Sequence, residues 1–405
     1  MNWLNWGALL FASAGFAAWV VTTVNRLHSQ PLSHHTLHII RVWHDALIFG
    51  YPILLLWGTG FGERGLFRGG SWNDLSWGWW GAYAFGWIGA AGTVGHAWTY
   101  LLTPAPRSRI RRQIRRMDVE QELGFRPSGG GPYESLLKIP FNEVFRLEVA
   151  TQEFALPRLP QEWDGLSILH LSDWHFIGTV GLPYFQYVVQ RCREMQPDLI
   201  VFTGDLLDRQ ELEAWIPQTL GTLNAPLGCY FILGNHDWYL EPQRTRKTLE
   251  DLGWVGVAER SLRIEHGGRK LLIAGTEVPW MGKHPGDLDS EADFKLLLSH
   301  TPDHIRWACR QGFDLVLAGH NHGGQIRFPG FGPVYCPSLY GCRYASGIFE
   351  NQGTLMCVSR GLSGRHPLRI NCLPEITLLV LHPARESSVP SALGGTSAVA
   401  FDRGE

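Results

Sequence analysis

The stretch GLSILHLSDWH, residues 165–175, indicates the fold of this chain, because its apolar run leads into residues of types that can bind metal ions. The run SILHL leads directly into Asp173 and His175. The same layout returns in PDLIVFTGDLLD at 197–208 and in GCYFILGNHDW at 228–238. Stretches with a helical pattern separate these runs, and alternating strands and helices predict an α/β fold. In such a fold, the groups that bind ligands collect at the carboxyl ends of the strands.

Two later apolar runs end in the same way. FKLLLSH at 294–300 ends at His300, and FDLVLAGHNHGGQ at 313–325 carries His320 and His322 just after its apolar part. Each motif alone is a common turn pattern, but five in succession, each after an apolar run, are hard to obtain by chance. We therefore expect their side chains to meet at one edge of the fold. The candidate metal ligands are Asp173, His175, Asp205, Asn235, His300, His320 and His322.

The chemistry of these ligands favours particular metal ions. Imidazole, carboxylate and amide groups without any thiolate suit first-row ions such as Mn, Fe or Zn, and do not suit calcium. The candidate ligands are too many for one tetrahedral site and fit two divalent ions that share a carboxylate. Two such ions can activate water for attack on a phosphate ester. The pattern thus predicts a cofactor of two divalent metal ions, with the element left open.

In order and spacing, these motifs resemble those of the calcineurin-like metallophosphoesterases. The family pattern D-x-H, G-D-x-x-D, G-N-H-D, a later H and G-H-x-H stands here as DWH at 173–175, GDLLD at 204–208, GNHD at 234–237, SH at 299–300 and GHNH at 319–322. The likeness extends over residues 160–383. Within the family, the chain looks most like a membrane-anchored bacterial branch, since GGQ follows the last histidine and a segment beginning SRGL follows at 359–380. Relatives in that branch act on phosphodiesters or on the pyrophosphate of UDP-2,3-diacylglucosamine.

The resemblance implies a fold and a role for each residue. The fold would be a four-layer αββα sandwich of two mixed β-sheets, preceded by an N-terminal α-helical membrane region. One metal would bind Asp173, His175, His322 and the bridging Asp205. The second would bind Asp205, Asn235, His300 and His320. His236 and Asp205 would be the catalytic residues. His236 would be the general acid and would not bind a metal. Asp208 and Asp237 would hold other groups in position.

The first hundred residues differ in composition from the rest. Residues 1–105 contain no lysine, seven charged side chains and eleven of the eighteen tryptophans. Apolar runs at 3–24, 46–60 and 75–102 predict an N-terminal membrane region of one to three transmembrane helices. A single anchor followed by a glycine-rich soluble segment is the alternative.

An arginine-rich segment follows, with arginines at 107, 109, 111, 112, 115 and 116. Such segments stay on the cytoplasmic side, so three spans would place the N-terminus outside and residues after 105 in the cytoplasm, at an inner or plasma membrane. The spacing of Ile110, Ile114 and Met117 predicts a basic amphipathic helix on the membrane surface, with a solvated linker as the alternative. We therefore divide the remaining chain into a basic segment and linker at 106–160, a metallophosphoesterase domain at 161–383 and a flexible tail at 384–405.

Other features limit the partners. The net charge of −2 predicts no nucleic-acid binding, and seven cysteines without a CxxC motif predict reduced thiols. Arg343, Arg360 and Arg369 are either structural or bind a second phosphate of the substrate. Trp174 and Trp238 either wall the cleft or pack in the core.

The expected function is hydrolysis of a phosphodiester or pyrophosphate bond in a lipid-linked or nucleotide substrate at the cytoplasmic membrane face. A catalytically weak regulatory module and a soluble-substrate phosphatase with a simple tether are the alternatives. The oligomeric state stays open.

Overall fold

A computed structural model describes residues 3–102, 105–286, 288–289 and 291–384. The predicted flexible tail therefore lies, from residue 385 onward, outside the described residues. The chain forms two compact units, of which the first comprises Met1–Leu102 with Pro329–Gly341, and the second Thr103–Phe328 with Cys342–Glu405. All seven cysteines lie among the described residues, and none of them forms a disulfide.

The α-helices are, in chain order, α1 (Trp3–His28), α2 (His34–Leu55), α3 (Trp77–Leu102), α4 (Val119–Leu123), α5 (Leu182–Glu194), α6 (Asn235–Trp238), α7 (Pro242–Asp251) and α8 (Ile305–Arg310). The first strands are β1 (Arg109–Asp118), β2 (Arg146–Leu156), β3 (Leu166–Leu171), β4 (Leu199–Thr203), β5 (Cys229–Ile232), β6 (Val255–Gly256), β7 (Ser261–His266) and β8 (Arg269–Thr276). The later strands are β9 (Phe294–Ser299), β10 (Leu315–Ala318), β11 (Arg327–Phe328), β12 (Gly332–Pro333), β13 (Gly347–Asn351), β14 (Thr354–Val358) and β15 (Glu375–Pro383).

Two mixed sheets form the second unit. The larger has the order β1-β2-β15-β3-β4-β5-β6, and the smaller has the order β13-β14-β10-β9-β8-β7. The neighbours β3, β4, β5 and β6 run parallel, as do β14, β10, β9 and β8. The five apolar runs noted in the sequence therefore form inner strands with parallel neighbours, and each run stops at the carboxyl end of its strand. These strands are buried on both faces, which explains their continuous apolar sequences.

The sheets pack face to face through one apolar core. Ile168 and Val201 of the larger sheet lie in the same buried cluster as Leu296 and Leu317 of the smaller sheet. On its opposite face, the larger sheet packs against α5 through residues such as Phe185. The α/β fold of two mixed sheets expected from the resemblance is therefore confirmed.

The arginine-rich segment is a strand, and the prediction of an amphipathic helix was wrong. Residues Arg109–Asp118 form β1, which pairs antiparallel with β2 at the edge of the larger sheet. On β2, the buried Glu148 lies 3.1 Å from Arg116 and 3.7 Å from Arg112. Local spacing of apolar residues carries no information about a partner strand that is distant in sequence. For the same reason, we predicted a basic segment and linker at 106–160. This range contains two strands of the sheet.

In the first unit, α1 and α3 pack closely and run in the same direction. A Cβ atom on Gly15 would lie 1.8 Å from the carbonyl oxygen of Gly86, and one on Gly86 would lie 2.3 Å from that of Ala12. Later positions also pair, because a Cβ on Gly15 would lie 2.3 Å from the amide nitrogen of Ala90. Small residues at a helix contact let the two backbones approach, which is common between helices in membranes.

Two helices of the first unit are long and apolar enough to cross a membrane. They are α1 and the stretch His34–Gly60, in which α2 continues through a π-helical turn. The third predicted span coincides with α3, whose 26 residues include no Asp, Glu, Lys or Arg. Among the described residues, α3 is not one of the two helices that are long and apolar enough, so the number of spans stays a prediction.

Candidate metal centre

Each candidate ligand lies just beyond the end of an inner strand. Asp173 and His175 follow β3, Asp205 follows β4, and Asn235 and His236 follow β5. From the smaller sheet, His300 follows β9, whereas His320 and His322 follow β10. Because β3 to β5 are parallel to one another, as are β9 and β10, each set of strand ends meets at one edge of its sheet. Because the two sheets pack face to face, the two sets of candidate ligands meet.

A first cluster joins Asp173, His175, Asp205 and His322. The Nε2 atom of His175 lies 3.2 Å from Nε2 of His322 and 3.5 Å from Oδ2 of Asp205. Nε2 of His322 lies 3.6 Å from Oδ1 of Asp173. Four potential ligand atoms therefore surround one small volume, as a cation would require.

A second cluster joins Asp205, His300 and His320, with Asn235 beside them. Nε2 of His300 lies 3.3 Å from Oδ2 of Asp205, 3.0 Å from Oδ1 of Asn235 and 3.1 Å from Nδ1 of His320. Burial would lower the pKa of His300, but the charge of Asp205 raises it to about 9. The carboxylate therefore attracts positive charge to this position, whether a proton or a metal ion.

Asp205 belongs to both clusters, and its two carboxylate oxygens have different surroundings. Its Oδ1 accepts a hydrogen bond of 2.8 Å from the backbone N–H of His236. Its Oδ2 is buried and accepts no hydrogen bond within the described part of the chain. An orphaned buried carboxylate oxygen is costly. This oxygen belongs to both clusters, so the residues present fit a pair of divalent ions, which Asp173, His175, Asp205, Asn235, His300, His320 and His322 would hold.

Hydrogen bonds from the other ring nitrogen fix how the histidines face the centre. Nδ1 of His300 lies 2.7 Å from the carbonyl oxygen of Thr203, and Nδ1 of His322 lies 3.0 Å from that of Ser363. A carbonyl only accepts, so each Nδ1 carries a proton and each Nε2 is the nitrogen that faces the centre. Burial and the nearby charge of His175 lower the pKa of His322, which keeps its ring neutral.

The backbone at the centre is strained. Five candidate ligands have a left-handed conformation, with φ of 53° at Asp173, 47° at His175, 58° at Asp205, 72° at His320 and 49° at His322. Residues other than glycine rarely adopt it, and such strain concentrates at functional sites. At Gly204, φ is 98° and a Cβ would lie 2.7 Å from Nδ1 of His300, so only glycine fits there.

Asp208 connects the first cluster to His236. Its Oδ2 lies 2.9 Å from Nδ1 of His175, and its Oδ1 lies 2.5 Å from Nδ1 of His236. Burial lowers the pKa of His236, but the charges of Asp208 and Asp205 outweigh it and raise the pKa to about 9. The side chain of His236 is 20% exposed, so it reaches the solvent side of the centre. The ring is thus oriented, protonated at neutral pH and accessible to a substrate.

Asp237 holds the loops that carry the ligands. Its carboxylate accepts hydrogen bonds of 2.9 Å from the backbone N–H groups of Asp205, Leu207 and Gly234. It is 1% exposed and makes none of the close contacts of the two clusters. Its geometry is that of a group that positions the turn after β4.

The arginines predicted as alternatives for phosphate binding have other contacts. Arg360 is 3% exposed and lies 2.7 Å from Glu148 and 2.6 Å from Glu375. Arg369 is fully buried and donates to the carbonyl oxygens of Arg360 and Ser363. The guanidinium of Arg343 lies over the ring of Tyr344, 5.4 Å from its centroid.

Of the two tryptophans beside the ligands, Trp174 is a core residue. It is fully buried and stacks on Phe185 at 5.7 Å between ring centroids. Trp238 is half-buried and packs on Tyr239. Sequence reasoning missed Trp280, whose ring centroid lies 4.8 Å from that of His320. It falls in the connection between β8 and β9, where no apolar run or motif draws attention to it.

Comparison with known proteins agrees with this geometry. The family model of the calcineurin-like phosphoesterases matches residues 166–324, which hold every candidate ligand. The metallophosphoesterase YkuE of Bacillus subtilis is 36% identical over 250 residues, covering 59% of this chain and 87% of the relative. This chain belongs to the calcineurin-like phosphoesterase family.

Two further relatives carry names that state an activity. The phosphodiesterase YaeI of Escherichia coli is 30% identical over 220 residues, covering 53% of this chain and 81% of YaeI. The UDP-2,3-diacylglucosamine pyrophosphatase LpxG of Chlamydia muridarum is 26% identical over 292 residues, covering 58% of this chain and 88% of LpxG. Both names describe hydrolysis at phosphorus, which agrees with a phosphohydrolase.

Proposed function

We propose that this protein is a phosphohydrolase dependent on two divalent metal ions, which cleaves a phosphodiester or pyrophosphate bond in a lipid-linked or nucleotide substrate. The observation that carries the proposal is the junction at Asp205. Its buried Oδ2, which has no hydrogen-bond partner among the described residues, lies 3.5 Å from Nε2 of His175 in one cluster and 3.3 Å from Nε2 of His300 in the other.

The residues divide the chemical work as follows. The two clusters would hold the ions, which when bound supply Lewis acidity for activating water and neutralising charge on the phosphoryl oxygens. His236 donates a proton to the oxygen of the leaving group. Asp208 orients His236 through Nδ1, so Nε2 is the nitrogen that faces the substrate. Asp237 keeps Asp205 in place through the backbone.

Several observations support a membrane-linked substrate. Two N-terminal helices are long and apolar enough to cross a membrane, and arginines follow α3 directly. The relative LpxG is named for a diacylated nucleotide sugar. We infer that the second unit acts at the cytoplasmic membrane face, where it meets lipid headgroups.

A substrate screen tests the proposal. The full-length protein, purified in detergent and loaded with Mn²⁺, is assayed on bis-p-nitrophenyl phosphate, on a UDP-sugar and on UDP-2,3-diacylglucosamine. We expect turnover of at least one substrate, and loss of both metal ions and turnover in Asp205→Asn. Asp164→Asn, a change at an exposed aspartate on the loop before β3, is the matched control and should keep both.

The outcomes separate the candidate functions. Protein that binds two metal ions yet cleaves no substrate above the Asp205→Asn background contradicts the proposal and favours a regulatory module. Full metal occupancy in Asp205→Asn contradicts the bridging role. Faster cleavage of the soluble substrates than of the lipid-linked one favours a phosphatase with a simple tether.

A further inference from the structure

One arginine near the metal centre, Arg365, is exposed, and no ion pair joins it to a carboxylate among the described residues. It differs in this from Arg360, which two glutamates hold, and from Arg369, which is fully buried. An exposed, uncommitted guanidinium beside a centre for phosphate chemistry is available to an anionic ligand.

The loop that carries Arg365 is fastened to the candidate ligands. The backbone N–H groups of Leu362 and Ser363 donate to the carbonyl oxygen of Asp173, each at 3.1 Å. Nδ1 of His322 lies 3.0 Å from the carbonyl oxygen of Ser363. Arg365 is two residues further on, so its Cα lies within about 7 Å of that of Ser363. Its long side chain therefore starts at the rim of the first cluster.

A second anchor holds the far side of this loop. Nε2 of Gln325 donates a hydrogen bond of 2.8 Å to the carbonyl oxygen of His366. Gln325 itself lies three residues after His322, in the GGQ segment. Arg365 is therefore bracketed by two attachments, and its backbone position relative to the centre is fixed by them.

The charge of Arg365 also acts on the residue that follows α6. Burial raises the pKa of Tyr239, and the charge of Arg365 lowers it.

We propose that Arg365 binds the second phosphate of a pyrophosphate substrate and thereby positions the scissile phosphorus at the metal centre. The inference rests on the proposed function and names the substrate class of that site. A guanidinium forms two parallel hydrogen bonds with phosphate oxygens, which fixes both distance and orientation. A simple phosphodiester has only one phosphate, and that phosphate lies at the metals, so it gains nothing from this contact.

Paired substrates and matched variants test this assignment. Arg365→Ala, Arg365→Lys and the control Arg310→Ala, at an exposed arginine that ends α8, are assayed as full-length Mn²⁺-loaded protein. For a UDP-sugar, we expect Arg365→Ala to raise KM about tenfold to a hundredfold, with kcat within about threefold. For bis-p-nitrophenyl phosphate, KM and kcat should stay within about threefold. Arg365→Lys should lie between, because it keeps the charge and loses the paired hydrogen bonds.

Each other result overturns the assignment. Equal losses on both substrates would mean that Arg365 supports the centre as a whole, and unchanged kinetics would mean that it does not contact substrate. Wild-type protein that cleaves the diester and not the pyrophosphate also contradicts it, while the proposed hydrolase function stands. If the wild type cleaves neither substrate, the hydrolase proposal fails. The contact of Arg365 with the pyrophosphate is then tested by measuring the binding of the UDP-sugar by calorimetry. Binding as tight in Arg365→Ala as in the wild type would then refute the contact.

Discussion

At the scale of single residues, His236 differs from the other histidines of the centre. The others turn a nitrogen toward a neighbouring ligand atom at 3.0 to 3.3 Å, whereas His236 binds Asp208 and faces solvent. Its raised pKa means that it carries a proton at neutral pH. A residue with these properties is suited to protonate a leaving group, and the need for that proton depends on the leaving group itself.

We therefore expect His236→Ala to retain its metal ions and lose activity selectively. A dialkyl phosphodiester releases a basic alkoxide, so its kcat should fall about a hundredfold or more. Nitrophenolate leaves without help, so kcat on bis-p-nitrophenyl phosphate should fall far less. Steady-state kinetics on the two substrates, with metal content by elemental analysis, give the comparison. Losses of the same size on both would remove the role of proton donor from His236.

At the same scale, sequence reasoning identified the candidate ligands and missed what holds them. Asp173, His175 and the later histidines follow recognisable apolar runs, so their convergence could be expected from strand ends alone. The carbonyl groups of Thr203 and Ser363, which fix the imidazole rings, belong to residues with no distinctive pattern. The arginines singled out from the sequence were Arg343, Arg360 and Arg369, and not Arg365, because burial and ion pairing cannot be read from residue type.

At the scale of elements, a buried ion network joins β1, β2 and β15 to the loop before Arg365. Glu148 on β2 is 1% exposed and pairs with Arg116 of β1 and with Arg360. Glu375 on β15 also pairs with Arg360. Gly361 follows Arg360, and a Cβ there would lie 2.4 Å from that of Asp173. The network thus fixes the loop that packs directly on a candidate ligand.

Removing Glu148 should destabilise the second unit strongly. Glu148→Ala leaves the buried charge of Arg360 with one partner fewer, which costs about 3 kcal/mol. Glu153→Ala, on the same strand, removes only an exposed pair with Arg111 at 3.8 Å, worth at most about 1 kcal/mol. Thermal unfolding of the two variants measures the difference. Equal midpoints for Glu148→Ala and Glu153→Ala would mean that the buried network does not stabilise the fold.

At the scale of the whole molecule, the packing of α1 and α3 bears on membrane topology. The two helices run in the same direction and touch through glycines, so if α1 crosses the membrane, α3 crosses it the same way. The antiparallel α2 between them would supply the return span. Three crossings would put the N-terminus and residue 105 on opposite sides, and the arginines after α3 would keep the latter in the cytoplasm.

We therefore predict that tags at the two ends of the chain lie on opposite sides of the membrane. In intact cells, an N-terminal epitope tag should be accessible to external protease, and a C-terminal tag should be protected. Permeabilised cells, in which both tags are cleaved, are the control. Protection of both tags in intact cells would indicate two crossings and would refute the three-span topology.

Residue order alone was enough to predict the α/β class, the change of composition near residue 105 and the set of candidate ligands. These properties depend on local order: an apolar strand, then a turn with a ligand, repeated along the chain. The three-dimensional structure was needed to establish that Arg109–Asp118 is a strand, that Asp205 is shared between two clusters and that Asp208 connects His175 with His236. Each of these depends on groups that are distant in sequence and meet because the sheets pair and stack, and such contacts leave no periodic trace in the chain.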